Sequence, residues 1–176
     1  MSPYPERMTA PKWLTADEQR AWRAFLEATN LLSDALDRQL QQCAGMPHAY
    51  YEILVRLSEA EGRAMRMSEL AERTRSSRSR LSHAVARLEE RSWIERVDCA
   101  TDRRGQVAHL TETGLAALVA AAPGHVAAVR DHVIDRLTPA QLTALEQIAQ
   151  HIVGGCTGPS GPLSAPPPTA PATSRG

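Results

Sequence analysis

Between Arg73 and Arg87 the chain reads RTRSSRSRLSHAVAR, with five arginines and no acidic side chain in a molecule whose formal net charge is zero. A guanidinium is a planar fork of donors that can pair with both acceptors of a guanine edge or with a phosphate, and Ser and His can bond to either. Leu81, Ala84, Val85 and Leu88 stand at i, i+3, i+4 and i+7, which predicts a helix with one buried stripe. Arg78, Ser79, Arg80, Ser82 and His83 then gather at its exposed N-terminal end, with Arg75 and Ser77 just ahead and Arg87 farther along. The positive end of the helix dipole also favours a phosphate there. A solvated, Arg-rich surface helix would carry the same charges, so the neighbouring elements must decide between a nucleic-acid reader and an ordinary face.

The loop CATDRRG, from Cys99 to Gly105, holds a second set. Arg103 and Arg104 fall near its tip, where an arginine on a wing can enter the electronegative minor groove. Asp102 is placed to orient an arginine through a charge-assisted pair, and Gly105 permits the turn into the next strand.

Other chemistries find less. His125 and His132 lie seven residues apart with Asp131 and Asp135 close by, but no dense ligand set surrounds them, so they read as structural or surface histidines and no metal is expected. Cys43, Cys99 and Cys156 are odd in number and widely spaced, without a CxxC pattern, which fits a reducing compartment. No nucleophile–base pair, phosphate loop or HExxH is present, so neither an enzyme nor a cofactor is expected. Residues 1–8 lack the apolar run of a secretory signal, and no stretch reads as the roughly 20 apolar residues of a membrane span. A cytoplasmic protein without a membrane partner is the expectation.

The elements that must hold the arginines are mainly helical. Aromatic residues make up only 4% of the 176 residues, so the core must be aliphatic, which favours packed helices. Thr15 to Glu18 form a capping box that opens a first helix carrying Trp22, Phe25, Leu26, Leu32, Leu36 and Leu40, and Gly45 stops it. Pro47 starts a second helix with Tyr50, Leu54 and Leu57 on one face, and Ser68 is read as the cap of a short third, Glu69 to Thr74. The Arg-rich helix follows the Ser76-Ser77 turn. Trp93–Val97 and Gln106–Leu110 then predict a β-hairpin. Thr111 caps a fifth helix that Pro123-Gly124 should kink or break, and Thr138-Pro139 open a sixth that Gly154-Gly155 should end. Residues 1–14 read as a flexible arm and 154–176 as a disordered tail rich in Pro, Gly and Ser. The fold class is therefore mainly α with a small β-hairpin wing. A winged helix-turn-helix (about 47–110) sits between helical dimerisation segments (15–46 and 111–153) whose apolar positions exceed what one small lobe can cover.

The ordered set Met67-Ser68-Glu69-Leu70-Ala71-Glu72-Arg73, Leu81-Ser82, Arg87-Leu88-Glu89, Asp102-Arg103-Arg104-Gly105 and Leu110-Thr111-Glu112-Thr113-Gly114 resembles the winged-helix core of the multiple antibiotic resistance regulator (MarR) family. The resemblance runs from about Ala16 to Val153. It implies a homodimer with two recognition helices on a pseudo-palindromic operator in double-stranded DNA, and a role in repressing transcription. It also implies that Arg104 stands at the wing-arginine place and Asp102 at that of its supporting acid. In relatives a crevice beside the dimer helices admits small aromatic or phenolic acids, which would make Trp13, Trp22, Phe25, Tyr50 and Tyr51 candidate effector contacts; core and dimer packing accounts for the same rings. Peroxide-sensing members carry a cysteine near the start of the first helix, where this sequence has none, although a redox-responsive regulator through Cys43 or Cys99 stays open. A winged helix that binds only protein, and the dimerising part of an enzyme, are the remaining alternatives.

Overall fold

The computed structural model describes residues 12–98 and 105–157. Its contacts divide the chain into two compact units, one reaching to Ala35 and one beginning at Leu36. Asp102, Arg103, Arg104 and Cys99 lie outside the described residues, as do most of the N-terminal arm and the tail beyond Thr157.

In the first unit, helix α1 (Ala16–Ala44) opens with the expected box. The Thr15 N–H donates to Glu18 Oε2 at 2.7 Å, and the Glu18 N–H donates to Thr15 Oγ1 at 3.3 Å. Hydrogen bonds to the carboxylate, first from the Thr15 backbone N–H and then from its side chain, favour the ionised form and hold Glu18 below its ordinary pKa. Trp22, Phe25 and Leu26 all lie exposed in this unit.

The second unit is built on aliphatic burial, as the scarcity of aromatics requires. Leu40, Met46, Leu54, Leu57, Leu70, Leu81, Val85 and Leu88 are fully buried, each contributing roughly 1.5–3 kcal/mol. They come from the end of α1, from the turn after it (Met46), from α2 (His48–Ser58), from α3 (Met67–Arg73) and from α4 (Arg78–Glu90). Asp37 Oδ1 accepts the His48 N–H at 2.8 Å, which satisfies an orphan donor at the start of α2. The buried face of α2 carries Tyr51, Ile53, Leu54 and Leu57; Tyr50 is only half-buried, a shift of the expected stripe by one position.

Three expectations about boundaries are corrected. Helix α3 begins at Met67 with Arg66 in the capping position, so Ser68 lies inside the first turn and caps nothing. The cause is a strand the sequence did not suggest: β1 (Ala64–Arg66) feeds straight into α3 and leaves no turn for a cap. The wing is thus a three-stranded antiparallel sheet, ordered β1-β3-β2, with β2 (Ile94–Asp98) and β3 (Gln106–Leu110). Ala64 pairs with His109 and Arg66 with Val107 on one side of β3; Ile94 pairs with Leu110 and Asp98 with Gln106 on the other.

Helix α5 (Glu112–His132) runs unbroken through Pro123, which costs one backbone hydrogen bond without ending the helix. It gives way at Val133 to a single 3-10 turn, Ile134–Arg136. Helix α6 (Pro139–Thr157) likewise continues through Gly154-Gly155, where a Gly penalty of about 1 kcal/mol each is too small to stop it. A second capping box starts it, with the Thr138 N–H on Gln141 Oε1 at 2.9 Å and the Gln141 N–H on Thr138 Oγ1 at 3.3 Å. Among the described residues, Glu112–Arg136 is long and apolar enough to cross a membrane by length and composition alone, contrary to the expectation that no stretch would be. Its Ala and Val content raises the hydropathy without large apolar bulk.

Candidate nucleic-acid interface

The helix-turn-helix joins a closed C-terminal end of α3 to a capped N-terminal end of α4. At the end of α3 the Arg75 N–H bonds the Glu72 carbonyl at 3.2 Å and the Ser76 N–H bonds the Ala71 carbonyl at 3.0 Å. That is a Schellman closure, whose left-handed residue is usually glycine. Here it is Arg75, at φ +52°. The turn delivers Ser77 as the N-cap of α4, where its Oγ accepts the Arg80 N–H at 3.3 Å. Ser77 is therefore a capping residue first, although its hydroxyl proton stays free to donate to a phosphate.

With Leu81, Val85 and Leu88 in the core, the other side of α4 presents Arg78, Ser79, Arg80, Ser82 and His83, all exposed. Arg75 joins them from the turn. Among the described residues none of Arg75, Arg78 and Arg80 forms an ion pair, whereas Arg73 is held by Glu69 at 2.9 Å and Arg87 by Glu90 at 2.8 Å. The hydrogen bond and charge of Glu90 raise the Arg87 pKa and fix its guanidinium on the helix surface. The free positive charge is thus concentrated at the N-terminal end, where the helix also exposes unsatisfied N–H groups.

A cleft of about 350 Å3 opens beside this end, lined by Arg66, Ser68, Arg78, Ser82, Gly105 and Gln106. The sequence pattern did not mark Arg66 or Gln106, and it marked Ser68 only as a helix cap. They come together only because β1 pairs with β3, a contact between distant segments that no local pattern announces. The base of the wing is tied to α4 as well: Glu89 accepts the Arg96 N–H at 3.2 Å and forms an ion pair with the Arg96 guanidinium.

The candidate effector aromatics divide between the units. In the first, the rings of Trp22 and Phe25 stack at 6.1 Å, and Trp13 is exposed. In the second, Tyr51 packs on His125 of α5 at 4.5 Å, and His48 lies 5.6 Å from the same ring. Burial raises the Tyr51 pKa; burial and then the charge of His48 lower that of His125, whose buried Nδ1 has no hydrogen-bond partner among the described residues. Cys43 and Cys156 are exposed thiols. Among the described residues no three His, Cys, Asp or Glu side chains gather as metal ligands.

Comparison with known proteins agrees with this geometry. The MarR family model matches residues 44–105. The chain is similar to Sco3205, a MarR family transcriptional regulator from Streptomyces coelicolor solved in complex with DNA, at 54% identity over 85% of this chain and 93% of that one, with a TM-score of 0.82. It is similar also to AbsC, a MarR family transcriptional regulator from the same organism, at 49% identity over 82% and 99%, with a TM-score of 0.75. A mutant MarR from E. coli complexed with operator DNA, 18% identical over 81% and 99% with a TM-score of 0.69, shares the fold. The comparison with curated proteins gave no match. On identity and coverage together, the chain belongs to the MarR family of transcriptional regulators.

Proposed function

We propose that this protein is a homodimeric, sequence-specific DNA-binding regulator that represses transcription by seating two α4 helices in successive major grooves of a pseudo-palindromic operator. The family is one of transcriptional regulators and not of enzymes. The observation that carries the reading is the exposed set Arg75, Arg78 and Arg80 on a capped helix end, without ion pairs among the described residues. In this reading Arg78 and Arg80 reach base edges, Ser77, Ser79, Ser82 and His83 bond phosphate or base, and Arg103 and Arg104, supported by Asp102, serve the minor groove from the wing. Arg87, committed to Glu90, contributes least. A reader of genomic DNA of this kind works in the cytoplasm.

The dimer is supported by what α5 and α6 leave uncovered: Val119 and Val126 on one, Leu145, Ile148 and Ile152 on the other, all exposed in the single chain. A soluble monomer rarely shows such surface. Half-sites about 10 base pairs apart follow from two-fold symmetry. Mobility-shift titration on the DNA upstream of the protein's own gene, with light scattering at micromolar concentration, tests both parts. A monomeric mass, or no preference over random DNA, would refute the reading.

Release by a small aromatic or phenolic acid is the regulatory part of the proposal, supported by the rings exposed in the first unit and the Tyr51–His125 packing in the second. A variant with Cys43, Cys99 and Cys156 all changed to Ser separates it from a redox switch. Peroxide release in the wild type that disappears in this variant would favour the thiols, while Cys-independent release by phenolic acids would favour the ligand.

A further inference from the structure

We propose that Thr113 and Arg91 are positioning residues that lock the exit of the recognition helix to the first turn of α5, and so fix where the reading ends stand when two copies occupy one operator. The inference rests on the dimeric DNA-binding reading above.

Helix α4 leaves through Arg91-Ser92-Trp93. The Ser92 N–H bonds the Glu89 carbonyl at 2.8 Å and the Trp93 N–H bonds the Leu88 carbonyl at 2.9 Å, with Ser92 at φ +59°. A serine stays in that left-handed conformation when its surroundings over-determine it. They do so here. The Ser92 carbonyl accepts two hydroxyls, Thr111 Oγ1 at 2.7 Å and Thr113 Oγ1 at 2.5 Å. The next carbonyl, that of Trp93, accepts the Thr111 N–H at 3.1 Å. Both exit carbonyls are therefore tied to the start of α5. On the other flank the Arg91 guanidinium lies 4.9 Å above the Trp93 ring and donates to the Gly45 carbonyl at 2.9 Å, in the turn between α1 and α2.

Thr111 alone would cap α5, because its Oγ1 already accepts the Gly114 N–H at 3.0 Å. Apart from its contact with the Thr111 hydroxyl, the Thr113 hydroxyl bonds only the Ser92 carbonyl among the described residues, so its role belongs to the joint and not to the helix. Leu81, Val85 and Leu88 fix α4 within its lobe, and the joint fixes that lobe against α5. The lever is long. Thirteen residues of α4 span about 20 Å, so slack of about 10° at the exit would move the reading end by about 3.5 Å, close to one base-pair step.

The test is Thr113→Val, which keeps bulk and the Thr111 cap but removes the donor. It is assayed as the full-length protein on operators whose half-site spacing is varied one base pair at a time, alongside thermal melting. Loss of one neutral hydrogen bond predicts about fivefold weaker binding at the best spacing. It also predicts a flatter preference among spacings, with both properties restored in Thr113→Ser. Arg91→Met should act in the same direction, and it carries the test if Thr113→Val does not fold. Wild-type affinity and spacing preference in these variants overturn the proposal. Weakened binding with the spacing preference intact, or weakening that Thr113→Ser does not restore, also overturns it. A wild-type protein that binds no operator at any spacing refutes the DNA-binding reading itself, and the inference with it.

Discussion

A methyl group on Gly114 would overlap the backbone carbonyl oxygen of Trp93 and stand 2.8 Å from Leu110 Cδ1. The first turn of α5 thus closes onto the exit of α4 at backbone contact, which only a residue without a side chain permits. The obstructing atom also accepts the Thr111 N–H, so it cannot retreat without losing that bond. Gly114→Ala is expected to destabilise the fold by about 2–3 kcal/mol, read as a lower urea midpoint at unchanged slope. An unchanged midpoint would mean that the contact relaxes freely.

Arg75 holds a place that glycine fills with less strain, as Gly45 does at φ +63° at the end of α1. Arg75→Gly is expected to raise stability by about 0.5–1 kcal/mol while weakening operator binding and reducing the salt slope by about one phosphate contact. Opposite signs in the two measurements would identify a strained arginine kept for its charge. If binding and its salt dependence stay at wild type, Arg75 touches no phosphate.

The readable parts of the molecule were the local ones. Leu81, Val85 and Leu88 at helical spacing, the Thr15–Glu18 box and the Thr111 and Thr138 caps each express their geometry within four residues. What stayed hidden depends on distant partners. Ala64–Arg66 is too short to declare itself a strand and becomes one by pairing with Val107 to His109. Tyr51 meets His125, a residue of another helix that no spacing connects to it. Pro123 does not break α5 and Gly154 does not end α6, because a helix breaker shifts a local balance by a few kcal/mol at most, which the rest of a long helix can offset. Arg87 was legible as half of an i, i+3 pair with Glu90, but its membership in an arginine run concealed this.

Arg80 and Arg87 share a helix and a charge but differ in partners, which makes them a matched pair. Arg80→Ala should cost about 1–3 kcal/mol on the specific operator and relax the sequence preference at one position in each half-site. Arg87→Ala should leave operator affinity within about twofold of the wild type, since Glu90 already engages its guanidinium. Equal losses in the two variants would show that DNA draws Arg87 away from Glu90.

His125 should make the fold acid-sensitive. Its ring lies between α5 and α2, against Tyr51 and beside His48, whose backbone N–H is in turn held by the Asp37 carboxylate of α1. Burial, and then the charge of His48, lower its pKa below the ordinary 6.5. The folded protein therefore resists a proton that the unfolded chain accepts. The sign follows: well above pH 6.5 neither state is protonated at this site and the site adds no pH dependence. As pH falls through 6.5 the unfolded state gains a proton first, and stability declines until the folded-state pKa is reached. A protonated His125 would also face His48 across 5.6 Å, adding repulsion between α2 and α5. His125→Phe keeps an aromatic ring against Tyr51 and removes the titrating group. Urea midpoints from pH 8 to pH 5 should fall in the wild type and fall less steeply in this variant. Identical pH slopes in the two proteins would refute the assignment of acid sensitivity to His125.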